Sequence, residues 1–207
     1  MAYEFTHLQL KKMISGVMIE SAFPYDTNDV QEVERHINSL YHELRKSGIV
    51  ECFPEFNHYG SGYSSFVEFF IPKRNSKTLI KEVIKPYFLL KEYMVEGIVL
   101  YVSRLAPIAV WGFDERAYRI KKWKDVIVED DYVSHSFLYP TQHDFMECPS
   151  KCQEEWCGLK EKVEEYGYQF LPKEYLNLPL PFEATIATCF TEKGHYKVFD
   201  SCFYWED

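Results

Sequence analysis

The last twenty-two residues, from Ile186 to Asp207, constrain the fold of this chain more than any other segment. They read IATCFTEKGHYKVFDSCFYWED, in which two strand-like runs flank a Glu192-Lys193-Gly194 turn. The second run carries five aromatic residues, Tyr196, Phe199, Phe203, Tyr204 and Trp205. Terminal residues usually fray unless they are tied down. We therefore expect a C-terminal β-hairpin that lies within a sheet.

The rest of the chain predicts an α+β fold. A capped helix is predicted over Asn28–Ser47, because apolar residues recur there at helical spacing and Gly48 follows as a stop; the apolar residues are Val30, Val33, Ile37, Leu40, Tyr41 and Leu44. Residues Pro149–Tyr166 predict a second principal helix, and Ser76–Leu90 a further helix that Pro86 interrupts. Four runs predict strands: Ile49–Phe56, Tyr63–Ile71, Ile98–Leu105 and Ile108–Phe113. We expect a mainly antiparallel sheet, with the two principal helices packed on it and the C-terminal hairpin within it.

The composition indicates one soluble globular domain covering residues 1–207, with a possible seam near residues 114–150. Of the 207 residues, 46% are hydrophobic and 27% are charged. No apolar run approaches the roughly 20 residues of a membrane-spanning helix, and the first residues do not have the order of a signal peptide. We expect a cytoplasmic protein with reduced cysteines, no cofactor and no membrane partner.

Two clusters contain residue types that bind metals. His143, Cys148, Cys152 and Cys157 have the spacing H-x4-C-x3-C-x4-C, which lacks the tight CxxC pair of common zinc sites. Cys152 and Cys157 would also lie roughly 140° apart around their helix. The second cluster is an acidic run with a histidine: Glu129, Asp130, Asp131 and His135. We expect free thiols and a solvated acidic loop, with a zinc-binding protein or a small metal-dependent enzyme as the alternative.

No catalytic signature is present in the sequence. The motifs GxSxG and HExxH are missing, and the glycine-containing loop Asn57–Gly62 lacks the Lys-Ser/Thr ending of a phosphate-binding loop. The prediction is therefore a non-enzymatic protein, with dispersed catalytic residues left open as an alternative.

The charge of the chain points to a protein partner. With 32 acidic and 23 basic residues the formal net charge is −9, which argues against nucleic-acid binding and favours a basic protein partner. Alternation along the last strand would place Asp200 beside Tyr196 and Tyr204, on a face that meets the core, water or another protein. The candidate contact residues are Asp114, Glu115, Glu129, Asp130, Asp131, Tyr59, Tyr63, Tyr196, Asp200 and Tyr204. A self-associating module or homodimer is a further possibility.

The last forty or so residues carry a family resemblance. The pattern runs through Tyr166-Gly167-Tyr168, Leu171-Pro172 and Leu178-Pro179-Leu180 to the closing Val198–Asp207 run. It resembles the C-terminal end of small bacterial immunity proteins of polymorphic and contact-dependent toxin systems. The resemblance implies an acidic cytoplasmic α+β protein that binds a basic toxin domain and occludes it, and it assigns no inhibitory residue.

Overall fold

The computed structural model describes residues 4–19, 22–46, 51–60, 62–134, 136–142, 145–147 and 153–206. The helices are α1 (His7–Ile14), α2 (Val30–Lys46), α3 (Gln153–Glu165), α4 (Lys173–Leu176) and α5 (Val198–Cys202). The strands are β1 (Phe53–Glu55), β2 (Tyr63–Ser64), β3 (Phe66–Pro72), β4 (Thr78–Lys85), β5 (Phe88–Ser103), β6 (Ile108–Trp123), β7 (Val126–Tyr132), β8 (Gln169–Phe170) and β9 (Trp205–Glu206). None of the described helices is both long enough and apolar enough to cross a membrane.

A long hairpin organises the main sheet. Strands β5 and β6 have 16 residues each and pair antiparallel from Phe88–Trp123 to Val102–Ala109. Along one half of this hairpin, β3 and β1 extend the sheet beyond β5, and the short β8 pairs parallel with the start of β6. Along the other half, β4 pairs with β5 and β7 pairs with β6. The two halves therefore have different neighbours on each side.

The first half of the sheet is covered on one face by α2 and α3. Because side chains alternate along a strand, one set of apolar residues from β3 and β5 faces these helices: Val67, Phe69, Ile71, Ile98, Leu100 and Val102. The helices contribute Val33, Ile37, Leu40, Leu44, Leu159 and Val163 to the same cluster. Burying such a side chain contributes about 1.5–3 kcal/mol. The predicted apolar stripe of α2 is thus confirmed, apart from Val30, which is 60% exposed.

The opposite face of this half is covered by α1 and by the end of the chain. Its buried residues include Phe66, Phe70, Val99, Tyr101 and Val110 from the strands, with Leu10 and Met13 from α1. Phe199 and Phe203 complete the cluster and are fully buried. The sheet is therefore the middle of three layers.

The α+β class, the mainly antiparallel sheet and the two principal helices packed on it are confirmed. The closing strand β9 is antiparallel, but its partner is β2, in a two-stranded sheet separate from the main one. The residues before it, Val198–Cys202, are helical rather than extended. The Asp200 carboxylate accepts a 2.7 Å hydrogen bond from the Lys197 amide at the start of that turn, which is how acidic residues stabilise helix beginnings.

The predicted helix over Ser76–Leu90 is wrong. These residues form β4 and the start of β5, joined by a turn in which Tyr87 has a φ of 63°. Apolar residues at 79, 80, 83 and 84 fit a helical spacing, yet pairing with β5 along seven registered positions decides for a strand. The helix predicted over Pro149–Tyr166 is observed from Gln153 to Glu165, and its first predicted turn lies outside the described residues.

Candidate functional site

The second half of the long hairpin forms a four-stranded antiparallel sheet with two open faces. We call it the β-extension and define it as residues 78–93 and 118–131. Seven of the eight β4 residues and five of the seven β7 residues are exposed. In contrast, all seven residues of β3, in the covered half, are buried. The β-extension therefore projects from the three-layered body.

The exposed apolar side chains of the protein are concentrated on this element. Among the described residues, fourteen large hydrophobic side chains are exposed, and eight of them lie in the β-extension, from 48% for Leu79 to 72% for Ile84. The eight are Leu79, Ile80, Ile84, Tyr87, Trp123, Val126, Ile127 and Val128. Scattered apolar residues on a surface need no explanation, whereas a contiguous group marks an interaction surface.

Both faces of the β-extension carry part of this group. The strand register gives one row across all four strands, made of Ile84, Leu89, Lys122 and Ile127. The next row lies on the opposite face and is made of Lys85, Phe88, Trp123 and Val126. The two turns meet at the tip, where the Lys124 amide donates to the Tyr87 carbonyl over 2.8 Å. A partner can therefore contact apolar side chains on either face.

The two edges of the β-extension are protected against strand addition. The β4 ladder skips Ile80 and the β7 ladder skips Val128, and such bulges disrupt an edge. Symmetric antiparallel self-pairing of β4 about its centre would also place Lys81 opposite Lys81 or Glu82 opposite Glu82. Natural proteins use bulges and edge charges to prevent edge pairing. The two faces, rather than the edges, are therefore the parts of the β-extension that stay open to contact.

Three of the predicted contact residues lie on β7, not on a loop as predicted. Glu129 accepts a 3.2 Å hydrogen bond from Arg119 of β6, and Asp130 accepts one from the Tyr118 hydroxyl. Asp131 accepts a 2.8 Å hydrogen bond from the amide of Tyr132. These carboxylates line one edge of the β-extension and are partly engaged within the chain.

Asp114, predicted as a partner contact, belongs to a buried ionic cluster. The Arg116 guanidinium contacts the Glu68 carboxylate through Nη1 and the Asp114 carboxylate through Nε, at 2.8 Å each. The side chains of Arg116 and Glu68 are only 3% and 2% exposed. The Tyr59 hydroxyl donates to Glu68 over 3.0 Å, so Tyr59 also joins this cluster. Glu115, next to Asp114 on β6, is exposed.

Asp200 and Tyr196 face the interior. Asp200 is fully buried and accepts hydrogen bonds from Thr191 (2.7 Å) and Tyr139 (3.3 Å) besides the Lys197 amide. Burial raises the pKa of Asp200, and the hydrogen bonds from Thr191 and its other neighbours oppose that increase. The Tyr196 hydroxyl donates to the Ile186 carbonyl over 3.2 Å. Both side chains are therefore largely buried.

Tyr63 and Tyr204 lie apart from the ionic cluster and from the buried Asp200 and Tyr196. Their rings are 5.9 Å apart and line a cleft at the β2–β9 pair. The ten predicted contact residues are therefore distributed over the β-extension, the ionic cluster and its neighbourhood, the C-terminal core and this cleft.

Half of the eight residues in the two predicted metal-binding clusters fall outside the described part of the chain. His135, His143, Cys148 and Cys152 are not described, and Cys157 is an exposed free thiol on α3. Within the described ranges, no three His, Cys, Asp or Glu side chains are grouped so that they could hold a metal ion.

The sequence did not identify the β-extension. One signal was available: β4 contains the β-branched residues Thr78, Ile80, Val83 and Ile84, and Pro86 follows directly. Such residues favour strands, and proline favours a turn.

Comparison of the chain with protein-family models, with curated proteins and with solved structures finds no significant match.

Proposed function

We propose that this protein is a non-enzymatic protein-binding protein and that the β-extension is its binding element. The observation that carries the proposal is the group of eight exposed apolar side chains on one projecting sheet. A projecting element with two open apolar faces gains free energy when a partner removes those faces from water.

The dimensions of the β-extension suggest how a partner binds it. A strand of eight residues spans about 27 Å and four strands span about 14–19 Å, so one face offers roughly 400–500 Å². A specific interface usually buries about 800 Å² on each partner. One face alone is therefore smaller than a usual specific interface. We expect the partner to surround the tip and contact both faces.

The charge distribution suggests how the partner approaches. The β-extension holds seven basic and six acidic residues, which gives it a net charge of +1. The rest of the chain has a net charge of −10, and the two add up to the −9 of the whole chain. The body would attract a basic partner over long range. The apolar faces would then supply most of the affinity, since buried aromatic and aliphatic anchors dominate binding energies.

The most specific form of the proposal is an immunity-type inhibitor that occludes a basic toxin domain. It is supported by the resemblance of the C-terminal segment and by the acidic charge of the chain. The candidate partner is the C-terminal toxin domain encoded by a gene next to the one for this protein.

The test is co-expression of this protein with that toxin domain, followed by purification of the complex. We expect Ile84→Lys and Trp123→Lys to weaken the complex by about 30-fold or more each, corresponding to about 2 kcal/mol for a central contact. Leu178→Lys after α4 and Leu8→Lys on α1 are matched controls, because those side chains are 51% and 66% exposed on the body. All four variants should melt within a few degrees of the wild type.

Two results would contradict different parts of the proposal. A complex that tolerates both β-extension variants would show that the partner binds elsewhere. Failure of any neighbouring toxin domain to bind, or to be neutralised, would reject the immunity form and leave the β-extension as a surface for another protein.

Self-association is the second candidate, because the same exposed faces could pair with those of a second copy. Sizing of the wild type at several concentrations separates the two. A concentration-dependent dimer that Trp123→Lys abolishes would assign the faces to a homodimer.

A further inference from the structure

A second, separate surface feature lies on the body of the protein. A cleft of about 590 Å³ opens beside the β2–β9 pair, between the end of α1, the start of α2 and the loop before β6. Its apolar lining includes Ile14, Met18 and Leu105, and its polar groups come from Glu34, His58, Tyr63, Arg104, Tyr204 and Glu206. None of these residues belongs to the β-extension.

The Arg104 guanidinium in this cleft is committed to the fold. Its Nε contacts the Glu34 carboxylate, its Nη1 donates to the carbonyls of Ser64 and Phe66, and its Nη2 donates to the Phe56 carbonyl over 3.0 Å. The side chain is 4% exposed. These contacts use most of the five N–H donors of an arginine, so Arg104 is poorly placed to bind an anion.

His58 is placed as a hydrogen-bond donor and not as a base. Its Nδ1 accepts a 2.9 Å hydrogen bond from the Ser64 amide, so in the neutral ring the proton is on Nε2. Burial lowers the pKa of His58, and the charge of Arg104 lowers it further. The neutral ring stacks on Tyr63, with centroids 5.6 Å apart and planes at 28°.

The remaining polar groups make the cleft suited to a cation. Glu206 lies opposite Tyr63 in the β2–β9 register, on the rim of the cleft. Burial raises the pKa of Tyr63 and of Tyr204, and the negative charge of Glu206 adds to the increase at both, whereas Arg104 opposes it at Tyr63. The Tyr63 and Tyr204 rings form an aromatic wall, and aromatic faces next to a carboxylate are typical of sites for organic cations.

We propose that this cleft binds a guanidinium or ammonium group carried on an apolar stem. The stem would lie along Met18 and Leu105, and the cation would lie between the tyrosine rings and the Glu206 carboxylate. The group could belong to a free alkylguanidine or to an arginine side chain of a protein. The proposal is independent of the function assigned to the β-extension.

The test uses butylguanidinium as the probe and butylurea as its neutral isostere, each titrated into the full chain by calorimetry. We expect saturable binding of butylguanidinium, with butylurea weaker by about fivefold or more, the range expected for a cation on an aromatic and acidic site. Glu206→Gln should weaken butylguanidinium by a similar factor. Glu174→Gln, an exposed position on α4 outside the cleft, should leave it unchanged.

Other outcomes would overturn the proposal. Equal binding of butylurea, tighter binding of butyrate, or an unchanged affinity in Glu206→Gln would each show that the cleft does not select a cation. The comparison of isosteres uses the wild-type chain, so it stands even if a variant is unstable. Tighter binding of an acetyl-Gly-Arg-Gly-amide peptide than of butylguanidinium would support the cleft and assign the cation to a protein side chain.

Discussion

Replacing Arg116 by methionine tests the buried ionic cluster at the base of the β-extension. The substitution would leave the Glu68 carboxylate, 2% exposed, without the guanidinium that contacts it at 2.8 Å. Asp114, 11% exposed, would lose its partner as well, and Phe70 would lose the cation 4.4 Å from its ring centroid. Removing one partner of a buried ion pair typically costs about 3–5 kcal/mol, because the other charge stays buried and unpaired.

Urea denaturation followed by tryptophan fluorescence measures this cost. For an m-value of about 2–3 kcal/mol/M, a loss of about 3–5 kcal/mol lowers the unfolding midpoint by about 1–2.5 M. Arg119→Met is the matched control, because Arg119 also contacts two carboxylates but its side chain is 35% exposed. An exposed pair contributes about 0–1 kcal/mol, so the midpoint should move little.

A second variant isolates the charge from the packing. Arg116→Met combined with Glu68→Gln removes both charges of the most buried pair and leaves only the Asp114 carboxylate, which is 11% exposed. We expect this double variant to recover more than half of the lost stability. The reasoning would be refuted if Arg116→Met cost no more than Arg119→Met, or if the double variant were as unstable as the single one.

Three further predictions test the core, the terminus and the cleft. Burial raises the pKa of Cys52 and Cys202 to about 12. A thiol reagent at pH 8 should therefore modify exposed Cys157 and leave Cys52 and Cys202 unmodified until the chain unfolds. Labelling of all three cysteines at one rate would contradict this prediction. The unfolded thiols ionise first, so the free energy of unfolding should fall as the pH rises from about 8.5 towards 12. Deleting residues 203–207 removes large buried rings worth about 3–5 kcal/mol each, so the truncated chain should show no cooperative melt, and a normal melt would make the end peripheral. Burial, aided by Arg104, lowers the pKa of His58, so the unfolded chain takes up a proton at this histidine before the folded chain does. The stability of the wild type should therefore fall as the pH drops through about 6.5. Urea titrations should find a smaller fall in His58→Gln, and an equal fall would refute the prediction.

Local patterns in the sequence predict much of the body of the protein. The helix α2 is predicted within one or two residues at each described boundary, because its apolar stripe and its caps are properties of consecutive residues. The strand predicted over Tyr63–Ile71 includes most of β3 for a similar reason, although the structure divides that run into β2 and β3. The complete burial of β3 agrees with apolar residues on both of its faces. The burial of Phe203 and Tyr204 is predictable because aromatic side chains have a large apolar surface that is stabilised when it leaves water.

Where two structures satisfy the same local pattern, the sequence alone misleads. Residues 76–90 fit a helix by apolar spacing, and seven registered pairs with β5 make them a strand. Residues Val198–Cys202 fit a strand by alternation, and the Asp200 contact to the Lys197 amide makes them a helical turn. In both cases hydrogen bonds and packing to the rest of the structure outweigh weak local preferences.

The candidate sites depend on contacts between residues far apart in the chain. Glu68 and Arg116 are 48 positions apart and meet because β3, β5 and β6 are neighbours in one sheet. Tyr63 and Tyr204 meet because the β2–β9 pair and the hydrogen bonds between Ser65 and Tyr204 join the two segments. The sequence by itself determined an acidic α+β protein with two principal helices and an aromatic, buried end, because those properties belong to composition and to short-range periodicity. Only the tertiary structure decided that Glu68 and Arg116 are buried together, that a cleft forms at Tyr63 and Tyr204, and that one half of the long hairpin stays uncovered. The reason is that burial depends on which distant segments pack on a strand and not on the strand's own residues.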